Sequence, residues 1–461
     1  MTANAFRLTD RYQLTMLAAY AEHGLAERRA VFELFVRKLP PSRRYLVACG
    51  VGRAVARLAE LSVTEADLAR LDRDPFFGAA LKRPAIRALF ESLRFRGRLL
   101  AIPEGRLCFP HEPLLRVEGT LAEAQLVETL LLSIVNHDTR VASKCARIVH
   151  AAAGRPCYEF GSRRAHEEAA VDAARAAFVA GFEGTSNEEA NARYGVPVAG
   201  TMAHSFVLAH AADAGEDGEQ TAFEALGATF AARPTFLVDT FDCARGVERA
   251  IAAAGARLGG VRIDSGDLAA LSFAARAQLD AAGLHEANVF LSDDLDEHRI
   301  DALVRAGVPV ASFGVGTMAV ATPDAPSLGA VYKLVALEDA GGKMIAVQKR
   351  SPGKGSSAGV KQVFRRAGSL DDLVGLDGDE HDGEPLLVPV LESGAPRGDL
   401  SLPAARARRS RDLAAAPPAL LAIGPREGEE GFPVLTSARL DALQATVSAS
   451  GRASLDEGGT R

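Results

Sequence analysis

At 461 residues the chain can bury a large core and divide into two or three domains. A hydrophobic share of 48% is ordinary for a soluble globular protein, and a net charge of −6 without a basic block or aromatic-interleaved basic stripe argues against a nucleic-acid partner. No apolar run approaches the roughly 20 residues that span a bilayer, nothing resembles a signal peptide, and the scattered cysteines (49, 108, 145, 157, 243) form no CxxC pair, so a cytoplasmic protein with reduced thiols is expected.

The N-terminal "LTDRYQLTM" (8–16) reads as a capped helix start, with Tyr12 an ordinary core or interface tyrosine. Residues 1–135 mix helical and strand-like patches, among them "AVFELFVRKLP" and "LLRVEGTL". From about Cys157 to Ser312 the pattern becomes regular. A short apolar run ends in polar residues, and an Ala-rich helical stretch follows and closes near a glycine. The runs are "CYEF", "GFEG", "VPVAG", "TFLVD", "VRID", "NVFL" and "PVAS". Seven strand-like runs alternating with helices or helical turns predict a parallel sheet, curled into a barrel, with a flat doubly wound sheet as the alternative. The spacing of Ser186 and Glu189 predicts a capping box before the helix that follows "GFEG".

After about Lys343, "MIAVQKR" and "VKQVFRR" read as strands bracketing the glycine/serine loop "SPGKGSSAG" (351–359). The basic stretch "ARARRSR" (405–411) reads as a solvated helix face, and the tail from 449 as disordered. The expected organisation is therefore an α/β barrel over 136–342. An α+β flank domain is built from 1–135 and 343–448, and a disordered tail covers 449–461.

The polar residues that follow the strands carry the chemistry. Asp239, Asp264, Ser292, Asp293, Gly314 and Gly316 each fall just after an apolar run, and in a parallel barrel those positions share the C-terminal mouth. A lone aspartate after a strand is ordinarily a helix cap, but several such loops bearing charge or paired glycines point to a site. In "FGVGT" (313–317) the small residues let backbone N–H groups approach an anion and Thr317 adds a hydroxyl, while Ser292 offers a donor from the preceding loop. "GTMAHSF" (200–206) places His204 on a loop or first helical turn between the hydroxyls of Thr201 and Ser205, where it reads as an acid, a base, a nucleophile or a satisfied structural histidine. His166, His210, His285 and His298 fall within predicted helices. "YEFGSRR" (158–164) offers the aromatic face of Phe160 and the forked donors of Arg163, suited to a carboxylate or phosphate.

Taken together, "LTDRYQLTM", "FELFVRKLP", "EPLLRVEG", "EFGSRRAH", "GFEGTSN", "GTMAHSF", "LVDTFD", "GVRIDSGDL", "SDDLDE" and "FGVGT" resemble, in order, the nicotinate phosphoribosyltransferases, and "VKQVFRR" extends the likeness. The resemblance implies an irregular TIM-like barrel of the type II phosphoribosyltransferase kind. It implies that nicotinate and phosphoribosyl pyrophosphate give nicotinate mononucleotide and pyrophosphate in NAD salvage. ATP would be a co-substrate, acting through a phosphorylated His204. By the same likeness Tyr12 and Phe160 would sandwich the pyridine ring, and Arg262 with Thr201 would meet the carboxylate. Asp264 would lie near the ribose, Arg163 near acidic groups, and Gly314, Gly316 and Thr317 around the ribose phosphate. Mg²⁺ would be held mainly through substrate phosphates, with no dedicated protein metal site. The assembly implied is a homodimer with shared active sites and Tyr12 supplied in trans.

Two positions depart from the family pattern. Asp293 stands where small or neutral residues are commoner, and the 351–359 loop matches only loosely and takes no role. Nicotinamide phosphoribosyltransferases carry an acid where Ser186 stands here, and a neutral residue suits a carboxylate substrate better. A Schiff-base aldolase would need a lysine at a strand end, and this region has none there. A catalytically inactive ligand-binding protein would not need His204, Arg262, Asp264 and Thr317 together.

Overall fold

The structure is a computed structural model that describes residues 4–230, 233–351, 355–424, 432 and 434–455. The chain forms two compact units, one of Met1–Arg140, Ser327–Leu420 and Pro425–Arg461, the other of Val141–Pro326 and Leu421–Gly424.

The second unit is built on a six-stranded parallel sheet. Its order is Gly184–Thr185, Cys157–Glu159, Ser312–Val315, Asn288–Leu291, Gly260–Ile263, Thr235–Leu237. The strands are two to four residues long and apolar, and Val261, Ile263, Val289, Leu291, Phe313 and Val315 are buried. That is the composition of strands covered on both faces. Helices Glu167–Val179, Glu188–Tyr194, Cys243–Ala254, Leu268–Ala281 and Glu297–Arg305 follow the strands.

Each helix start needs acceptors for its unpaired N–H groups, and the polar turns supply them. Asn187 accepts from Ala190 N, Asp242 from Arg245 N, Asp267 from Ala270 N, and Asp296 from His298 N and Arg299 N. The cap after "GFEG" is thus Asn187, one residue beyond Ser186, because Asn187 holds the extended backbone that a cap requires. Gly283 and Gly307 close two of these helices in the left-handed region, at φ +73° and +68°.

The sheet differs from the expected barrel in two ways. Among the described residues no pairing joins Thr235–Leu237 to Gly184–Thr185, so the ladder stays open. The "VPVAG" run is not a full strand. It makes a single parallel bridge, Val198 to Thr185, with Thr185 N donating to Pro197 O and Ala199 N to Thr185 O. His285 also falls outside the expected helix, in the turn after Leu268–Ala281, and His166 is the N-cap of Glu167–Val179.

The flank unit holds an eight-stranded sheet in the order Ala395–Pro396, Val388–Glu392, Arg98–Ala101, Pro113–Thr120, Arg29–Val36, Ala330–Glu338, Met344–Val347, Arg452–Ser454. All its neighbours are antiparallel. A four-stranded sheet of Glu384–Pro385, Lys361–Arg365, Asp372–Leu376 and Val434–Thr436 belongs to the same unit. Strand Ala330–Glu338 pairs with Arg29–Val36 along its length, and Phe32 stacks on Tyr332 at 4.9 Å. The segment after 326 therefore joins the flanks, correcting the expected boundary at 342.

The tail expected to be disordered from 449 is in part structured. Helix Ala438–Ser450 passes through it, and Arg452–Ser454 pairs with Met344–Val347; residues 456–461 lie outside the described residues. The arginine-rich stretch does form a helix, Leu402–Ala415, but Arg408 Nε donates to Glu104 O, so this face is not simply solvated.

Candidate active site

One end of the parallel sheet opens on a cavity of about 440 Å³. Its lining includes Phe160, Arg163, Thr201, Arg262, Asp264, Ser292, Gly314, Gly316 and Thr317, all expected from the sequence. Arg164, Ser186, Gly200, Met202, Asp293 and Asp294 complete it. They come from the C-terminal halves of strands or from the segments that follow them, as a parallel sheet requires when its strands point one way. A larger cavity of about 900 Å³ in the flank unit is lined by Arg37, Lys38, Lys349 and Arg350 and by residues 355–357 of the glycine/serine loop, but by none of the residues singled out for chemistry.

Arg262 organises the smaller cavity. Its strand, Gly260–Ile263, lies between Asn288–Leu291 and Thr235–Leu237, and its side chain is 14% exposed. Nε donates to Ser292 Oγ at 3.0 Å and Nη2 to Asp264 Oδ1 at 3.2 Å. Nη1 reaches Thr201 Oγ1 and Met202 O only at 3.4 Å each. Ser292 Oγ also donates to Asp264 Oδ1 in a short contact. The guanidinium carbon stands 5.7 Å from the centre of the Phe160 ring, which stacks on Phe290 at 5.7 Å. One guanidinium edge is thus fixed, while the other holds long bonds that an incoming carboxylate can replace at little cost.

Gly314 lies beneath those rings. A Cβ added there would come within 2.7 Å of Phe160 Cδ2 and 2.9 Å of Phe290 Cε1, so only glycine leaves room for the stack. Glu159, fully buried, holds the turn after Phe160 by accepting from Gly161 N and Thr185 Oγ1. Burial raises its pKa, and those two hydrogen bonds draw it partly back.

The loop after Asn288–Leu291 turns sharply. Asp293 and Asp294 have φ of +104° and +36°, in the region that favours glycine. Arg299 Nη1 donates to both of their carbonyl oxygens, at 2.8 and 3.3 Å, and its Nη2 lies 3.3 Å from Asp293 Oδ2. Thr317 Oγ1 donates to Asp294 Oδ1 at 3.4 Å, linking this loop to the glycine turn.

His204 does not line the cavity. It is the first residue of helix His204–Ala214, two positions beyond Met202, with its side chain 40% exposed. Its Nδ1 lies 3.1 Å from Thr240 Oγ1, and Nε2 lies 4.0 Å from Asp239 Oδ1. Asp239 is buried. Its Oδ2 accepts from Asp264 N at 2.9 Å and Ser265 Oγ at 2.6 Å, while Oδ1 has no hydrogen-bond partner among the described residues. Asp239 thereby braces the cavity turn, with His204 Nε2 nearby but beyond hydrogen-bond distance, a support that its place after "TFLV" hints at but does not specify. Ser205 is exposed and does not line the cavity, and Tyr12 belongs to the flank unit, half exposed on helix Arg11–Glu22.

Residues 8–136 match the nicotinate phosphoribosyltransferase (NAPRTase) N-terminal domain, and residues 156–373 match the nicotinate phosphoribosyltransferase family. A nicotinate phosphoribosyltransferase of Mycobacterium tuberculosis is 44% identical over 441 residues, covering 93% of this chain and 94% of the relative. The chain belongs to the nicotinate phosphoribosyltransferase family. The enzyme of that name from Bacillus subtilis is 43% identical over 77% of this chain and 72% of its own length. The fold matches the crystal structure of human nicotinic acid phosphoribosyltransferase with a TM-score of 0.80 at 29% identity, over 95% of this chain and 99% of that one. Nicotinate-nucleotide pyrophosphorylase from Pyrococcus furiosus follows with a TM-score of 0.69 at 26% identity, over 89% of this chain and 95% of that one.

Proposed function

We propose that the chain transfers the phosphoribosyl group of phosphoribosyl pyrophosphate to the ring nitrogen of nicotinate, forming nicotinate mononucleotide and pyrophosphate in NAD salvage, with ATP hydrolysed alongside. The observation that carries this reading is Arg262, held over the face of Phe160 with its Nη1 edge on long bonds, in a cavity shared with a glycine turn and the serine of a second loop. A flat aromatic acid meets a ring face and a forked cation there, and a phosphate meets N–H and hydroxyl donors.

In the reaction the ribose C1–O bond breaks and its electron pair leaves with pyrophosphate. The pyridine nitrogen lone pair then forms the new N–C1 bond. No proton need move, so the protein's task is to orient the two substrates, exclude water and favour the charge that develops. Arg262 and Thr201 take the carboxylate, and Phe160 takes the ring. Asp264 sits beside the ribose, and Arg163 near the acidic groups. Ser292, Gly314, Gly316 and Thr317 take the phosphate. Asp264, Asp293 and Asp294 line this same cavity and would meet a magnesium ion carried mainly by the substrate phosphates; among the described residues no three acids, histidines or cysteines group to hold a metal by themselves. That ion, when bound, neutralises charge on the departing pyrophosphate.

ATP enters through His204. With Nδ1–H donating to Thr240 Oγ1, the Nε2 lone pair attacks the terminal phosphorus of ATP, and ADP leaves with the electron pair of the broken P–O bond. Water later cleaves the P–N bond to release phosphate; Asp239 lies beside Nε2. The finer fold reading is an irregular, open version of the TIM-like type II phosphoribosyltransferase barrel. The same reading carries a cytoplasmic homodimer with Tyr12 reaching the partner's cavity. No helix among the described residues is long and apolar enough to cross a membrane.

The test is pyrophosphate release from phosphoribosyl pyrophosphate with nicotinate, nicotinamide or quinolinate, with ATP hydrolysis followed in parallel. Nicotinate is expected to be the substrate, and ATP turnover should vanish in His204→Ala. A charge-assisted hydrogen bond contributes about 1.5–3 kcal/mol. Arg262→Ala should therefore raise KM for nicotinate by about 10- to 150-fold, with a much smaller effect on nicotinamide. Equal use of acid and amide by the wild type would overturn the assignment.

A further inference from the structure

Both loops on the phosphate side of the cavity run into one buried ion cluster away from the cavity lining. The Ser292–Asp294 loop continues to Glu297, the first residue of helix Glu297–Arg305 and fully buried. The glycine turn continues through Thr317–Val320 to Asp324. Lys144, on helix Glu128–Ala151 and also buried, places Nζ 2.5 Å from Glu297 Oε2 and 3.4 Å from Asp324 Oδ1. Arg147, one turn further along the same face, places Nε 3.1 Å from Glu297 Oε1.

We infer that Lys144 is a positioning residue for the phosphoribosyl half of the site, clamping the Ser292–Asp294 loop and the Gly314–Thr317 turn to a single point. The loop needs such a clamp because Asp293 and Asp294 hold a backbone shape that costs free energy in non-glycine residues. Arg299 supports it from within the same loop and helix, whereas Lys144 ties it to a separate helix and, through Asp324, to the segment that follows the glycine turn and its short helix. The cluster is compensated: burial pushes the Glu297 carboxyl up, but the charge of Lys144, with that of Arg147, more than offsets this and leaves it below its ordinary value.

The nicotinate half touches these loops, through Arg262 Nε on Ser292 Oγ and Phe160 against Gly314, but it has a second anchor in the sheet. Phe160 and Arg262 belong to the sheet region, and Ser292 N is fixed to Ile263 O at 3.0 Å. Loosening Lys144 should therefore disturb phosphate recognition first.

The inference rests on the proposed reading that this cavity takes phosphoribosyl pyrophosphate, so the experiment separates the two. Lys144→Met is made in the full chain, where Arg147 remains to pair with Glu297. KM for each substrate is measured, together with calorimetric binding of pyrophosphate, which needs no turnover. The expected result is at least a tenfold rise in KM for phosphoribosyl pyrophosphate and weaker pyrophosphate binding, with KM for nicotinate within about twofold of the wild type. Equal rises for both substrates, or no rise in either, would overturn it. Should Lys144→Met fail to fold, Asp324→Asn decides, because it removes only one arm of the clamp. A selective, smaller rise for phosphoribosyl pyrophosphate supports the clamp and an unchanged KM sinks it. A wild type that binds pyrophosphate, with binding weakened in the variant, yet makes no nicotinate mononucleotide would fail the proposed function while leaving the clamp standing.

Discussion

A methyl group at Gly314 would sit 2.7 Å from the Phe160 ring, well inside contact distance. From the sequence, Gly314 reads as part of a phosphate cradle. Its closest neighbours are instead the two phenylalanine rings that form the aromatic wall. Gly314→Ala should therefore act on the pyridine side of the pocket as well as on stability. Overpacking of this kind costs about 1–3 kcal/mol, and displacement of Phe160 should raise KM for nicotinate. Thermal unfolding and substrate titration of the variant check both effects; a shift in KM for phosphoribosyl pyrophosphate alone would return Gly314 to a purely phosphate role. Asp264 was recognisable in the sequence as an acid just after a strand, whereas the roles of Arg262 and Phe160 came only with the family resemblance. Lys144 and Glu297 were recognisable by neither route. They lie about 150 residues apart, each inside or at the start of an unremarkable helix, and only tertiary packing joins them.

At the level of the element, the strand-to-helix turn explains why this chain spends so many acids after its strands. Asp242, Asp267 and Asp296 cap helices, while Asp264, Asp293 and Asp294 face the cavity. Composition announces the turns, but which acid caps and which lines the site depends on backbone direction, which a pattern of apolar residues does not report. For the same reason the cap expected at Ser186 fell one residue later, and "VPVAG" became a bridge rather than a strand. Strand Cys157–Glu159 carries a third kind of acid. Glu159 crosses to Thr185 on the neighbouring strand, and its folded pKa is raised by burial. A raised carboxyl pKa means that the folded state keeps a proton that the unfolded state has lost. The stability it contributes is present below the unfolded value, about 4.3 for glutamate, and declines as pH rises from there through the folded pKa. The advantage of Glu159 over Glu159→Gln in unfolding free energy should accordingly be greatest in acid and shrink toward neutrality. Denaturant melts of both proteins at several pH values between 4 and 7 read this directly, and an advantage that grows with pH contradicts it.

At the scale of the whole molecule, Tyr12 and His204 fall in different units of the chain, yet the proposed reaction asks both to serve one small ring and its activated partner. A symmetric dimer in which each copy lends Tyr12 to the other satisfies that demand and yields two equivalent sites. Mixing an inactive Tyr12→Ala variant with an inactive His204→Ala variant should then restore activity, since every mixed dimer has one intact site and one doubly damaged site. Random exchange of equal amounts would recover about a quarter of the wild-type rate. Exchange verified by mass labelling with no recovered activity would place Tyr12 in cis or away from substrate. The paired flanks have another consequence, one that belongs to synthesis rather than catalysis. Arg29–Val36 gains one neighbour, Pro113–Thr120, early, but its other edge waits for Ala330–Glu338, roughly 300 residues later. At about 5–20 residues per second a ribosome leaves that apolar edge open for about 15 to 60 s, while the contiguous parallel unit between them can emerge and fold. The nascent flank is thus the part of this chain most in need of a chaperone.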